Sequence, residues 1–226
     1  MLFRSETHAQ NFPVKPLRII VPLAAGGPTD VLARSIGQRI TENWKQSVVI
    51  DNRPGANTNI GTVAVAKSVP DGYTLLMTVN NLTINASVYQ ATGFDAVRDF
   101  APISLFATSP LIVVVHPSVT AKSVKELIAL ARRRPREMLF GSPGTGSAPH
   151  LAGELMNVLA GVTLVHVPYK GVTGAVTDLV SGQLAVMFPG SPIALPLVHA
   201  GRLRALATTG ARRTAAAPEL RLEEHT

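Results

Sequence analysis

Glycine-rich turns that open helices are the chemically distinctive feature of this sequence, because a bare turn and a helix N-terminus together present uncovered N–H groups to an anion. The first is Gly26-Gly27-Pro28-Thr29-Asp30, which follows the β-branched run Arg18-Ile19-Ile20-Val21. Pro28 suits the first helical position, where no N–H is needed. Asp30 is the anomaly, since a carboxylate there repels an anion bound to the same turn. With Gly27 as the N-cap, Asp30 is the third helical residue and can fold back onto the N-cap N–H. It is therefore expected to hold the turn's shape or to meet a cationic group on a ligand.

The second turn is Ser142-Pro143-Gly144-Thr145-Gly146-Ser147, with His150 just beyond it. A helix N-terminus disfavours an imidazolium, so orienting the loop by hydrogen bonding weighs above direct ligand contact for His150, and catalysis weighs below both. Tyr169-Lys170-Gly171 offers a phenol, an ammonium and a bare N–H to an acid, and a plain surface turn accounts for it equally well. His116 and His166 read as strand-end residues. Several catalytic signatures fail on inspection. The spacing of Gly141 and Gly146 matches a P-loop, but Ser147 stands where the phosphate-binding lysine belongs. Gly144-Thr145-Gly146 begins a dinucleotide fingerprint that Pro149 interrupts, and no acidic partner follows. No G-x-S-x-G elbow and no H-E-x-x-H spacing occurs, so neither a catalytic residue nor a metal or cofactor site is expected.

Positioning these turns requires strands that end at them and helices that start from them. The periodicity predicts a helix from Pro28 to Asn43 with Val31, Leu32, Ile36 and Ile40 facing a sheet. A short strand at 47–50, a turn at 51–57, a helix through Val63, Val65 and Ala66, and a strand at 73–79 complete a β-α-β-α-β series, which implies a parallel sheet with right-handed crossovers. A polar loop containing Asn80 and Asn81 and an irregular stretch to Phe100 follow. The run at 111–115 reads as a fully buried strand carrying the chain into a second lobe. Ser123 with Glu126 forms a capping box for a helix reaching Arg134. Two further units follow: a strand at 138–142 with a helix at 149–159 closed by Gly161, and a strand at 164–167 with a helix at 173–180 closed by Gly182. Strands are predicted at 184–188 and 203–208, the latter returning toward the first lobe. From Ala215 onward neither a strand nor an amphipathic helix is predicted.

At 226 residues and 46% hydrophobic, the chain can bury a substantial core, which excludes wholesale disorder. Its formal charge of +7 raises nucleic acid as a partner. The excess sits in Arg132-Arg133-Arg134-Pro135-Arg136 and between Arg202 and Arg221 with few aromatics to stack bases, so a solvated basic face is the better reading and no nucleic-acid partner is expected. Without cysteine there is neither a disulfide nor a thiolate metal site. Thr7-His8-Ala9-Gln10-Asn11-Phe12-Pro13 looks like the end of a secretory signal that lacks its apolar region, so a misplaced start is expected. No apolar run is long and clean enough to span a bilayer.

Five stretches occur in one order: Pro16-Leu17-Arg18-Ile19-Ile20-Val21-Pro22 with Gly26-Gly27-Pro28-Thr29-Asp30; Asn52-Arg53-Pro54-Gly55-Ala56; Pro70-Asp71-Gly72-Tyr73-Thr74-Leu75-Leu76; His150-Leu151-Ala152-Gly153-Glu154; and Val167-Pro168-Tyr169-Lys170-Gly171. Together they resemble the tripartite tricarboxylate transporter, or Bug, family of periplasmic solute-binding proteins, over Phe12 to Arg213. The resemblance implies an α/β, type II periplasmic-binding fold of two lobes, each with a mainly parallel sheet flanked by helices, closing like a flytrap over a small carboxylic acid without covalent chemistry. The expected lobes are 12–107 and 108–205, with 206–226 beginning a return to the first lobe that is cut short by truncation or a frame change. By position, Gly26, Gly27, Thr29 and Asp30 would bind from one lobe, with Asn80 and Asn81 at the mouth of the third strand. Ser142, Gly146, Ser147, His150, Tyr169, Lys170 and Gly171 would bind from the other. Bridging waters would let one pocket accept several acids. Where relatives often have an acidic residue after the strand ending at Phe188, this chain has Pro189-Gly190-Ser191, which puts the contact expected there in doubt. The implied protein is a periplasmic monomer that hands its ligand to membrane transporter subunits or a sensor. The alternative is a small α/β enzyme using the loop 141–147 with His150.

Overall fold

Strand and helix alternate along the chain, as the apolar runs and glycine turns predict. The computed structural model describes residues 12–210. The leader-like residues before Phe12 and the segment from 211 onward, read as a tail, lie outside the described residues. The chain divides into two compact units. One runs through Leu82 and takes in Ala91–Phe94, and the other comprises Thr83–Gln90 and the chain from Asp95 onward.

In the first unit, β1 (Leu17–Val21), β2 (Val48–Asn52) and β3 (Thr74–Leu76) form a parallel sheet in the order β2-β1-β3. α1 (Pro28–Trp44) connects β1 to β2, and α2 (Asn59–Ala66) connects β2 to β3. The predicted face of α1 is corrected by the packing. Val31 is 59% exposed, whereas Asp30, Ala33 and Gly37 are buried against the sheet, with Leu32, Ile36 and Ile40 only partly covered. The small residues Ala33 and Gly37, four apart, let the helix axis lie close to β2. A Cβ added at Gly37 would sit 3.2 Å from Val48 Cγ1, so there is no room for a stripe of large side chains between them. β3 is shorter than the predicted 73–79, and Met77 continues its pairing through one bond to Ile20 O at 3.0 Å. α3 (Asn81–Val88) occupies what reads in sequence as a polar loop, because Asn, Thr and β-branched residues hide a helix from propensity.

The second unit holds β4 (Ile112–Val115), α4 (Val124–Arg133), β5 (Leu139–Ser142), α5 (Ala148–Ala160), β6 (Val165–Pro168), α6 (Val172–Val180), β7 (Val186–Met187), α7 (Ser191–His199) and β8 (Arg204–Thr208). Its sheet order is β6-β5-β7-β4-β8. The β6-β5-β7 portion is parallel, in the same second-first-third arrangement as the first unit, and β4 runs antiparallel to both β7 and β8. The strand read as returning to the first lobe is therefore β8, an edge of this second sheet. α7 escapes the sequence reading because Pro192 and Pro196 look like breakers. Pro192 falls in the first helical turn, where no N–H is needed, and Pro196 removes one bond. β4 divides its side chains by period two. Val113 and Val115 pack with α4 residues Val124 and Leu127, and with Phe140 and Phe188, on one face. Ile112 and Val114 pack with Ala175, Leu179, Ala194 and Leu195 of α6 and α7 on the other.

α5 is held by an unusually close approach. A Cβ on Gly153 would lie 2.2 Å from Phe140 Cε2, so only glycine lets the helix rest on that buried ring. One turn earlier on the same helix comes His150. Ser123 caps α4 by accepting from Glu126 N at 3.2 Å, and Glu126 Oε2 accepts from Lys122 N at 2.8 Å, one residue before the amide that a capping box predicts.

Candidate functional site

Each candidate turn leaves the carboxyl end of a parallel strand, where α/β proteins place their ligands. In the first unit Gly26, at φ 78°, folds the chain back after β1. Gly27 is the N-cap of α1 and brings no side chain to the first-turn amides. Asp30, 2% exposed, accepts from Gly26 N–H at 2.8 Å and from Arg34 Nε at 3.0 Å through Oδ2. The carboxylate thus reaches one residue beyond the N-cap amide expected from sequence, because the left-handed Gly26 aims its own N–H into the turn. Arg34 also donates to Asn52 Oδ1 at 3.1 Å, and Asn52 Nδ2 donates to Leu23 O at 3.1 Å, so the end of β2 braces the turn after β1. The bond from Arg34, then that from Gly26, hold the Asp30 carboxyl below its ordinary range against the opposing effect of burial. Through Oδ2 Asp30 is paired within the protein, which favours its loop-shaping role, while its buried Oδ1 has no hydrogen-bond partner among the described residues.

Asn81 is buried and donates to Asn57 Oδ1 at 2.7 Å, which ties the start of α3 to the turn after β2. Asn80 is exposed. Thr29 lies in the first turn of α1 beside Asp30.

In the second unit the turns after β5 and β6 are joined by their backbones. Tyr169 N–H donates to Ser142 O at 3.0 Å and Gly171 N–H to Pro143 O at 3.1 Å. Ser142, Gly146, Ser147, His150 and Gly171 are thereby brought together. Ser147 is the N-cap of α5, accepting from His150 N–H and donating to Gly144 O at 2.7 Å. His150 Nδ1 accepts the Gly146 N–H at 3.1 Å, as the loop-orienting reading expects. Two groups offered to a ligand in the sequence reading are engaged elsewhere. The Tyr169 hydroxyl donates to Asp178 Oδ2 at 2.5 Å, and burial together with that carboxylate pushes its pKa up to about 12. The Gly171 N–H is not bare, since Pro143 O takes it. Lys170 remains exposed.

Three participants were not singled out as site residues in the sequence. His166 Nε2 lies 2.7 Å from Ser142 Oγ, and its ring centroid is 4.0 Å from that of His150. Tyr89 donates its hydroxyl to Thr145 O at 3.2 Å. Arg34 fixes Asp30, a pairing that its i, i+4 spacing signals. Ser142 and His166 have the separation of a nucleophile and its base. Ser142 is completely buried, however, and its hydroxyl lies 3.0 Å from Gly144 O, so the pair shapes the turn and a substrate carbonyl has no access to it. Among the described residues no group of three or more His, Asp or Glu could hold a metal ion, and no helix is long and apolar enough to cross a membrane.

Parallel-rich α/β sheets with amide-lined turns at their strand ends place the chain, in fold, with the periplasmic binding proteins. The structure superposes on that of Rhodopseudomonas palustris Rpa4515 with adipate with a TM-score of 0.88 at 38% identity, covering 94% of this chain and 71% of that one. It superposes on the periplasmic binding protein BugD at 0.84 and 31% identity, covering 93% and 71%. A profile described as the tripartite tricarboxylate transporter family receptor matches residues 32–224. The chain belongs to that family. Protein BugT of Bordetella pertussis is 36% identical over 208 residues, 91% of this chain and 64% of BugT. A protein encoded in the tcbD-tcbE intergenic region of Pseudomonas sp. strain P51 is 36% identical over 219 residues, 96% of this chain and 65% of its own length. The chain thus spans a little under two thirds of these curated relatives.

Proposed function

We propose that this chain is a periplasmic receptor that holds a small carboxylate on its strand-to-helix turns, without cofactor or covalent chemistry, and presents it as a monomer to membrane transporter subunits or a sensor. The observation that carries the reading is the turn after β1. Gly27 leaves the first-turn amides of α1 without a side-chain cap, and the nearby carboxylate of Asp30 is turned through Oδ2 onto Gly26 and Arg34. Helix-end amides with their dipole then favour an anion. Gly26, Gly27 and Thr29, with Asn80, form the candidate contacts of the first unit. The turn 142–147 with His150 and the exposed Lys170 form those of the second. Rpa4515 with adipate and MatC with bound malate, the latter 25% identical, make aliphatic dicarboxylates the first acids to try.

A thermal-shift panel of sodium carboxylates that includes adipate and malate tests this. A ligand that binds only the folded state at one hundred times its dissociation constant adds about 2.7 kcal/mol. At least one acid is expected to raise the midpoint by several degrees, and a panel with no stabilising acid overturns the reading.

A further inference from the structure

The two histidines beneath the second turn make opposite demands on a proton. His150 Nδ1 accepts the Gly146 N–H at 3.1 Å, while Nε2 of the same ring lies 3.7 Å from Glu154 Oε1. Accepting the Gly146 N–H at Nδ1 places the proton of the neutral ring on Nε2, the side facing Glu154. A second proton has only Nδ1 to occupy, and there the Gly146 N–H already points at it. Protonation therefore removes the acceptor that fixes Gly146, at φ 80° in the turn. His166 stands against the same ring at 4.0 Å and holds Ser142 at 2.7 Å. Ser142 Oγ in turn accepts from Gly144 N–H at 3.2 Å. Two imidazolium charges at that separation oppose one another.

We propose that His150 and His166 are a positioning pair that holds the turn 142–147 in its ligand-binding shape only while both rings are neutral, which makes carboxylate capture sensitive to acid. Among the described residues the groups facing the pair are few. α5 contributes His150 and Glu154, β6 contributes His166, and β5 contributes Phe140 and Ser142, which do not titrate in this range. Burial and the neighbouring His150 hold His166 below the ordinary imidazole value, in keeping with a neutral pair. Glu154 attracts a charged His150 but does so from the Nε2 side, which carries its proton in either state, so it does not replace the lost bond to Gly146.

The affinity arm of the test rests on the carboxylate reading above, and a second arm does not. In the ligand-free protein the Gly146 amide resonance is followed from pH 8 to pH 5 by NMR. It is expected to shift with pH in the wild type and to stay flat in His150→Asn, whose carboxamide oxygen can accept the same N–H. An amide in the wild type that does not move over this range overturns the proposal. Calorimetric titration with adipate is run in parallel. Wild-type affinity is expected to fall about tenfold or more from pH 8 to pH 5, and the ratio to shrink to about threefold or less in His150→Asn. His166→Gln, which keeps a neutral partner for Ser142, is expected to reduce the ratio as well. Equal pH dependence in wild type and both variants also overturns the pair. Failure to bind adipate or malate at pH 8 counts against the carboxylate reading, and the Gly146 amide then decides the pair by itself.

Discussion

Asp30 folds back onto its own turn, as its place in the first helical turn predicts, but onto the Gly26 amide rather than that of the N-cap. In sequence it repels the anion that its own turn invites, and in the structure Oδ2 takes bonds from Gly26 N–H and Arg34 Nε. Asp30→Asn is expected to lower stability at pH 7 by about 1–2 kcal/mol, read by urea denaturation, because a charge-assisted bond becomes a neutral one. The folded carboxyl lies below its ordinary 3.8, so the gap to wild type is full above that value and closes as pH falls through the lower folded value. A strong rise in dicarboxylate affinity with stability unchanged would refute the loop-shaping role. The Tyr169 hydroxyl, which the sequence offers to a ligand, donates to Asp178. Tyr169→Phe is expected to cost about 1 kcal/mol while changing adipate affinity less than about threefold. Its folded pKa of about 12 lies above the unfolded 10, so its contribution is present below pH 10 and lost as pH rises through about 12. Ultraviolet titration should show a tyrosine ionisation near 12 in wild type that the variant lacks.

At the level of elements, α5 is the piece on which the second turn depends, and Gly153 is the residue on which α5 depends. Gly153→Ala drives a methyl into the Phe140 ring, which is completely buried and has no room to retreat. A loss of about 1–3 kcal/mol is expected, seen as a lower urea midpoint at unchanged slope. Because the helix also carries Ser147 and His150, adipate affinity should fall with it. An unchanged midpoint would mean that α5 does not pack as described. The helices with apolar period and explicit caps, α4 and α5, were legible in sequence: Ser123 and Gly161 mark the ends where the chain turns. α3 and α7 were not, because one is built from weak helix formers and the other contains two prolines. The buried face of α1 departs from its apolar period because burial there follows the small residues Ala33 and Gly37 rather than the large ones.

Over the whole molecule, the charge of +7 leaves a polyanion as the competing partner, and salt separates the two. A protein touching six to ten phosphates loses about a thousandfold to a hundred-thousandfold in affinity between 50 and 200 mM salt, whereas adipate affinity is expected to change by less than about tenfold. A steep salt slope for adipate would mean that charged side chains, not backbone amides, dominate its recognition. The alternation of strands, glycine turns and helices, and with it the α/β class and the location of the turns, was determined by the sequence itself, since apolar period, caps and turn residues act over a few positions. Which groups in those turns face inward was decided only by the tertiary structure. Arg34 meets Asn52, Tyr169 meets Asp178, and His166 meets Ser142 and His150 because strand pairing and helix docking bring distant residues within bonding distance. A local pattern names the hydrogen-bonding groups of a turn, and only packing determines which partner each of them finds.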